Sequence, residues 1–136
     1  MNSGGRLQRK QRGFTLIEMI IVIAIIMILS GIAVPIYTAH ILHAREAVLK
    51  EDLYTLRNGI DQYTMDKSKA PQGLEELVSA GYLAKLPKDP FTNSTETWQP
   101  VQEDTLLSVD QTAPGISDVH SGSNLISSEG TAYSSW

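Results

Sequence analysis

Sixteen consecutive residues, Met19 to Val34, carry no charge. Extended back to Phe14 the segment reads FTLIEMIIVIAIIMILSGIAV, with Glu18 as its one charged side chain. A helix of about 20 apolar residues spans the ~30 Å hydrocarbon core of a bilayer. Because the segment is apolar on every side, it belongs either inside a large protein or inside a membrane. A chain of 136 residues has no core large enough to enclose it. The segment is therefore expected to cross a membrane once.

The flanks give this span a direction. Arg6, Arg9, Lys10 and Arg12 precede it, and the first 13 residues hold no acid. Positive residues stay on the cytoplasmic side, so residues 36–136 are expected outside. A cleaved secretory signal shares this basic start. Here, however, the apolar run is longer than a usual signal core and no clear small-x-small site comes before Pro35. Glu18 is the costly residue, since a carboxylate one turn inside an apolar helix is unfavourable by a few kcal/mol unless something compensates (about 2.5–3.5 at the centre). Two readings stand: Glu18 reaches the headgroups, or it pairs with a positive group on a neighbouring copy. A cut just before Phe14 would create such a group, an α-amine four residues away.

Charge and composition exclude several roles. There are 11 Lys+Arg against 15 Asp+Glu and no cysteine. That removes disulfide scaffolds, thiolate metal sites and cysteine nucleophiles. The net charge of −4 argues against a protein built to grip nucleic acid. No P-loop, HExxH or justified Ser-His-Asp set is present, and His120 beside Ser121 is an ordinary loop pair. The chain reads as a building block, with no enzyme activity expected.

Beyond Pro35 the pattern becomes amphipathic. Leu42, Leu49, Leu53, Leu56, Ile60 and Tyr63 fall on one helical face. Arg45, Glu46, Lys50, Glu51 and Arg57 fall largely off it, with Glu46 and Lys50 in the favourable i,i+4 order. One helix is expected from about Thr15 to about Asp66, its second half lying on a small domain, with a coiled coil as the competing reading of the stripe. Pro35 removes a helical hydrogen bond and Gly31 softens the same stretch, which marks a kink. His40 and His43 read as solvated histidines just outside the membrane. Further on, Leu74 to about Ser79 makes a short helix, with Gly81 at its C-terminal cap. The Asp89-Pro90 pair makes a turn. Thr97-Trp98-Gln99 and Leu106-Leu107-Ser108-Val109 are strand candidates. The closing NLISSEGTAYSSW reads as loop, held in place by Tyr133 and Trp136.

The block RGFTLIEMIIVIAIIMILSGIAVP resembles the class III signal of type IV pilins and pseudopilins. Gly13 matches the last leader residue, Phe14 the first mature residue, Glu18 the family's glutamate and Pro35 its proline. The resemblance implies that a prepilin peptidase cuts between Gly13 and Phe14 and methylates the Phe14 amine. It also implies that Glu18 sets assembly register and that the Gly31–Pro35 region kinks or melts on assembly. A second block is similar to the G-type major pseudopilin of type II secretion systems. It comprises Gly73-Leu74, Leu77, Gly81-Tyr82-Leu83 and Leu86-Pro87-Lys88-Asp89-Pro90-Phe91. From Thr92 the chain departs from that pattern, although Asp118-Val119-His120-Ser121-Gly122-Ser123 resembles the family's Asp-Leu-Tyr-Ser-x-Gly segment.

The resemblance implies an α+β, type IV pilin-like fold. Residues 1–13 form the leader, 14–35 the transmembrane and assembly helix, 36–66 its amphipathic continuation and 67–136 the small domain with a short helix and a small antiparallel sheet. It implies an inner-membrane, single-pass subunit that polymerises with itself into a periplasmic pseudopilus for protein export. Its partners would be a prepilin peptidase, an assembly platform with its ATPase, and minor pseudopilins. The other readings are a surface type IV pilus and a membrane-anchored periplasmic binding module. Calcium is the one cofactor the resemblance brings up. Asp110, Asp118, Asn124 and Glu129 are the available ligands, but the family's aspartate-dense loop is missing and a solvated acidic surface accounts for the same residues.

Overall fold

The computed structural model describes residues 1, 13–104 and 106–136. The expected leader lies outside the described residues apart from its first and last. Two compact units divide the chain, Met1–Ala39 and His40–Trp136. Among the described residues the elements are two α-helices, a two-stranded antiparallel sheet and a short 3-10 turn, Tyr133–Ser135, an α+β arrangement with one long N-terminal helix that begins apolar. Helix α1, Leu16–Lys67, supplies residues to both units.

In the first unit α1 starts where the Thr15 hydroxyl accepts the Glu18 amide at 3.2 Å. This satisfies one of the donors that a helix start leaves free. The helix continues through Gly31 and Pro35 without interruption. Proline gives no N–H back to the Gly31 carbonyl, and the Thr38 hydroxyl donates to the Pro35 carbonyl at 2.9 Å. None of the most apolar 18-residue stretch is buried.

In the second unit α1 turns its apolar stripe inward. Leu49, Leu53, Leu56, Ile60 and Tyr63 are buried and form one core with Leu74, Leu77, Leu83, Trp98, Ile116, Val119 and Tyr133. Each such side chain contributes about 1.5–3 kcal/mol relative to exposure. Helix α2, Leu74–Ser79, lies where the sequence placed it and buries Leu74 and Leu77. Its end is a Schellman motif. The amide of Tyr82 donates to the Leu77 carbonyl at 2.9 Å and that of Gly81 to the Val78 carbonyl at 3.2 Å. Gly81 takes φ +86, which glycine adopts without a Cβ penalty.

The strands differ from the expectation. Strand β1 is Gln99–Gln102 and β2 is Ile116–His120, antiparallel. The expected strand at Leu106–Val109 is a succession of bends, with Val109 fully exposed. The true partner escapes a period-two reading because of a bulge. Val101 faces Asp118 but Gln102 faces Ile116, so Ser117 is an extra residue. Ile116 and Val119, three apart, therefore both point into the core.

Just past β2 the chain runs hard against its neighbour. A Cβ on Gly122 would overlap the Thr97 carbonyl oxygen and stand 2.9 Å from the Thr97 Cβ. Gly122→Ala is expected to destabilise the folded domain by about 1–3 kcal/mol, as other overpacked sites do. Thermal unfolding followed by circular dichroism would show it, and an unchanged midpoint would mean that the two segments separate freely.

Candidate functional site

Two features bear on function, one in each unit. The first is the segment from Gly13 to Pro35. Gly13 and Phe14 precede the helix and are exposed, Phe14 at 79 %. Glu18 occupies the third helical position, three residues after its cap Thr15. Thr15-x-x-Glu18 is half of a capping box, a sequence signal that points to the helix start. Gly31 has open space where a Cβ would stand, so packing within the subunit does not demand a glycine there. An apolar helix face this exposed needs lipid or other helices around it.

The second feature is a clasp between α1 and the C-terminal arm, residues 121–136. Glu46 is only 5 % exposed. Its carboxylate accepts the Ser128 amide at 2.7 Å, the Ser128 hydroxyl at 2.6 Å and the Tyr133 hydroxyl at 2.7 Å. This corrects the surface Glu46–Lys50 pair expected from the sequence. Glu46 sits one step back along the buried stripe, three residues before Leu49, and Lys50 pairs instead with Glu129 at 3.3 Å. Continuing the 3–4 spacing backwards from Leu49 is the signal that would have found it. Burial pushes the Glu46 carboxyl up, but the two Ser128 hydrogen bonds, the Tyr133 hydroxyl and the nearby His43 together hold it below its ordinary value.

The rest of the arm closes around that carboxylate. Residues 126–132 fold back through an Ile126–Ala132 bridge, with Gly130 at φ +85. The Tyr133 ring stacks on Phe91, centroids 3.8 Å apart, and meets Trp136 edge-on at 5.0 Å. Lys50 lies 4.8 Å over the Trp136 ring. Two turns further along α1 the Arg57 guanidinium donates to Asp118 at 2.6 Å and to the Val119 carbonyl at 3.0 Å. Burial raises Asp118, but the Val119 amide and Arg57 outweigh it and leave its pKa lowered. Asp89 is fully buried and accepts the Phe91 amide at 2.9 Å and the Ser121 hydroxyl. The Asp89-Pro90 turn is thereby tied to the start of the arm.

These shifts predict a pH profile. Glu76 is also lowered, chiefly by the Tyr63 hydroxyl. A carboxylate with a depressed folded pKa contributes stability that is present above its unfolded value and lost as pH falls through the folded one. Asp52, raised by burial and then by Asp89 and Glu51, works in the opposite direction and is outnumbered. Stability should therefore fall below about pH 4.5, the ordinary glutamate value. Tyr63 and Tyr133 are pushed up to about 12, Tyr63 first by Glu76 and Tyr133 first by burial. Their contribution is lost as pH rises from 10 to about 12. Unfolding midpoints across a pH series test both limbs, and Glu46→Gln should flatten the acidic one.

The proposed calcium ligands do not fit a calcium site. The ion takes six to eight oxygens at 2.3–2.6 Å. Asp118 is held by Arg57 and Glu129 by Lys50. Those two partners lie seven residues apart on α1, about 10 Å along its axis. Asp110 and Asn124 are exposed. Among the described residues no group of three or more His, Cys, Asp or Glu side chains stands close enough to share a metal. His40 and His43 are exposed, with His43 Nδ1 3.7 Å from Glu46.

Comparison with known proteins bears on the first feature and on the chain as a whole. The prokaryotic N-terminal methylation motif matches residues 8–34. The chain is 34 % identical over 113 residues to type II secretion system core protein G of Vibrio cholerae serotype O1, covering 72 % of this chain and 77 % of that one. It is 34 % identical over 110 residues to the protein of the same name from Klebsiella pneumoniae (69 % and 79 % covered). With that of Escherichia coli strain K12 it shares 37 % over 100 residues (62 % and 69 % covered). No solved structure matches the chain.

Proposed function

The chain belongs to the type II secretion system core protein G family, and from that premise we propose how its residues make it a pseudopilus subunit. The observation that carries the reading is the exposed apolar stretch of α1 that lies within the methylation motif, residues 8–34. A prepilin peptidase cuts between Gly13 and Phe14 on the cytoplasmic face and methylates the new amine. The basic leader keeps the scissile bond inside until then. Cleavage removes four positive charges and leaves 7 Lys+Arg against 15 Asp+Glu.

The subunit waits in the inner membrane with residues 36–136 in the periplasm. An ATPase-driven platform then extracts it into a helical filament that minor pseudopilins initiate. Heterologous contacts that do not close into a ring give such open filaments. Burial between bundled N-terminal helices replaces lipid contacts, and the Phe14 amine of one copy meets Glu18 of the next. Pro35 and the open position at Gly31 let the helix loosen where copies crowd together. The work is mechanical and structural, and no step requires catalysis by this chain.

Intact mass of the chain from its native membrane, combined with gene deletion, tests this. The expected mass is that of residues 14–136 plus one methyl, and deletion should stop export of secreted proteins. A mass of residues 1–136 would favour a static anchor. A deletion that removes surface fibres and spares secretion would favour a pilus.

A further inference from the structure

The face of α1 that meets the C-terminal arm presents Glu46, Lys50 and Arg57 at positions 0, 4 and 11 along one stripe. Each engages the arm or the strand leading into it. Glu46 holds Ser128 and Tyr133, Lys50 holds Glu129, and Arg57 holds Asp118. We propose that this chain fastens its C-terminal arm to α1 with these three side chains in place of a metal ion, so that its folded domain is calcium-independent. This goes beyond the secretion role and is tested without it.

Three observations carry the proposal. The helix brings Lys50 to the arm and Arg57 to the strand leading into it, and cations repel a divalent cation while attracting carboxylates. The two acids it attracts, Asp118 and Glu129, are two of the four candidate calcium ligands. The arm itself holds one carboxylate, Glu129, and its hydroxyl oxygens are already engaged. Ser127 Oγ accepts the Glu129 and Thr131 amides, Ser123 Oγ accepts the Leu125 amide, and Ser121 Oγ donates to Asp89. Among the described residues no buried side-chain nitrogen or oxygen lacks a partner. Glu46 thus supplies from the helix side the anionic anchor that a metal would otherwise bridge, using charge-assisted hydrogen bonds.

The experiment uses the full chain in detergent. Thermal unfolding is recorded in 5 mM EGTA and in 5 mM calcium chloride, and equilibrium dialysis against ⁴⁵Ca is run on the same material. The expected result is a midpoint shift within about 2 °C between the two conditions, with well under one calcium bound per chain at 1 mM free ion. A weak extracellular-type site would raise the midpoint by about 5 °C or more. That rise, or stoichiometric ⁴⁵Ca binding, would overturn the proposal. Glu46→Gln should lower the midpoint equally in both buffers, and selective rescue by calcium would also overturn it. The dialysis result stands even if that variant fails to fold.

Discussion

Glu18→Val is expected to leave the chain inserted in the membrane and to cut filament yield at least tenfold. Valine is cheaper than glutamate in hydrocarbon, by about 3 kcal/mol on insertion scales, so carbonate extraction should find the variant fully membrane-bound. On the proposed pairing, what it loses is the partner of the neighbouring α-amine. Removing one member of a buried ion pair costs about 3–5 kcal/mol because the other charge stays buried and unpaired. Each 1.4 kcal/mol is a factor of about ten, so the loss should be near complete in sheared-filament blots. Two controls separate charge from local structure. Glu18→Gln keeps the shape and should fail almost as badly. Thr15→Val removes the hydroxyl that accepts the Glu18 amide, a loss of about 1 kcal/mol, and should weaken assembly only several-fold. Normal filament yield from Glu18→Val would defeat the pairing.

Tyr133→Ala should lower the unfolding midpoint of the unit His40–Trp136 by roughly 15–25 °C. Tyr133 is 1 % exposed, stacks on Phe91 and donates to Glu46. Truncating a buried aromatic costs about 3–5 kcal/mol, and each kcal/mol moves the midpoint about 4–8 °C in a domain of this size. Tyr133→Phe keeps the ring and removes one of the donors on a buried carboxylate, at about 1–3 kcal/mol. It should fall between the wild type and the alanine variant. If Tyr133→Ala unfolds within a few degrees of the wild type, the arm is an ornament on an independently stable core.

The parts of this molecule that were legible in the sequence are those built on local rules. The apolar run needs no tertiary information, because length and composition alone mark it. The α2 helix is bounded by Gly73 and Gly81 and shows its buried residues at helical spacing, so it too was placed correctly. The misses involve partners distant along the chain. Leu106–Val109 has strand composition but no strand to pair with, whereas Ile116–His120 hides its alternation behind the Ser117 bulge. Glu46 looked like a surface residue because composition assigns charges to the solvated face. Only the arm 82 residues later makes it a buried one. Two of the acids weighed as calcium ligands, Asp118 and Glu129, found their partners Arg57 and Lys50 across the fold in the same way.

The distance in sequence between the two halves of the clasp also sets a clock. Glu46 leaves the ribosome long before Tyr133, which follows 87 residues behind it. At synthesis rates of about 5–20 residues per second that interval is on the order of 4–17 s. During it the stripe from Leu49 to Tyr63 has lost neither its apolar character nor its need for cover, and such long-range closures are slow to form. The clasp therefore cannot close until Tyr133 has been made. The domain stays pliable for that whole interval, until the arm arrives to cover the carboxylate at the start of its stripe.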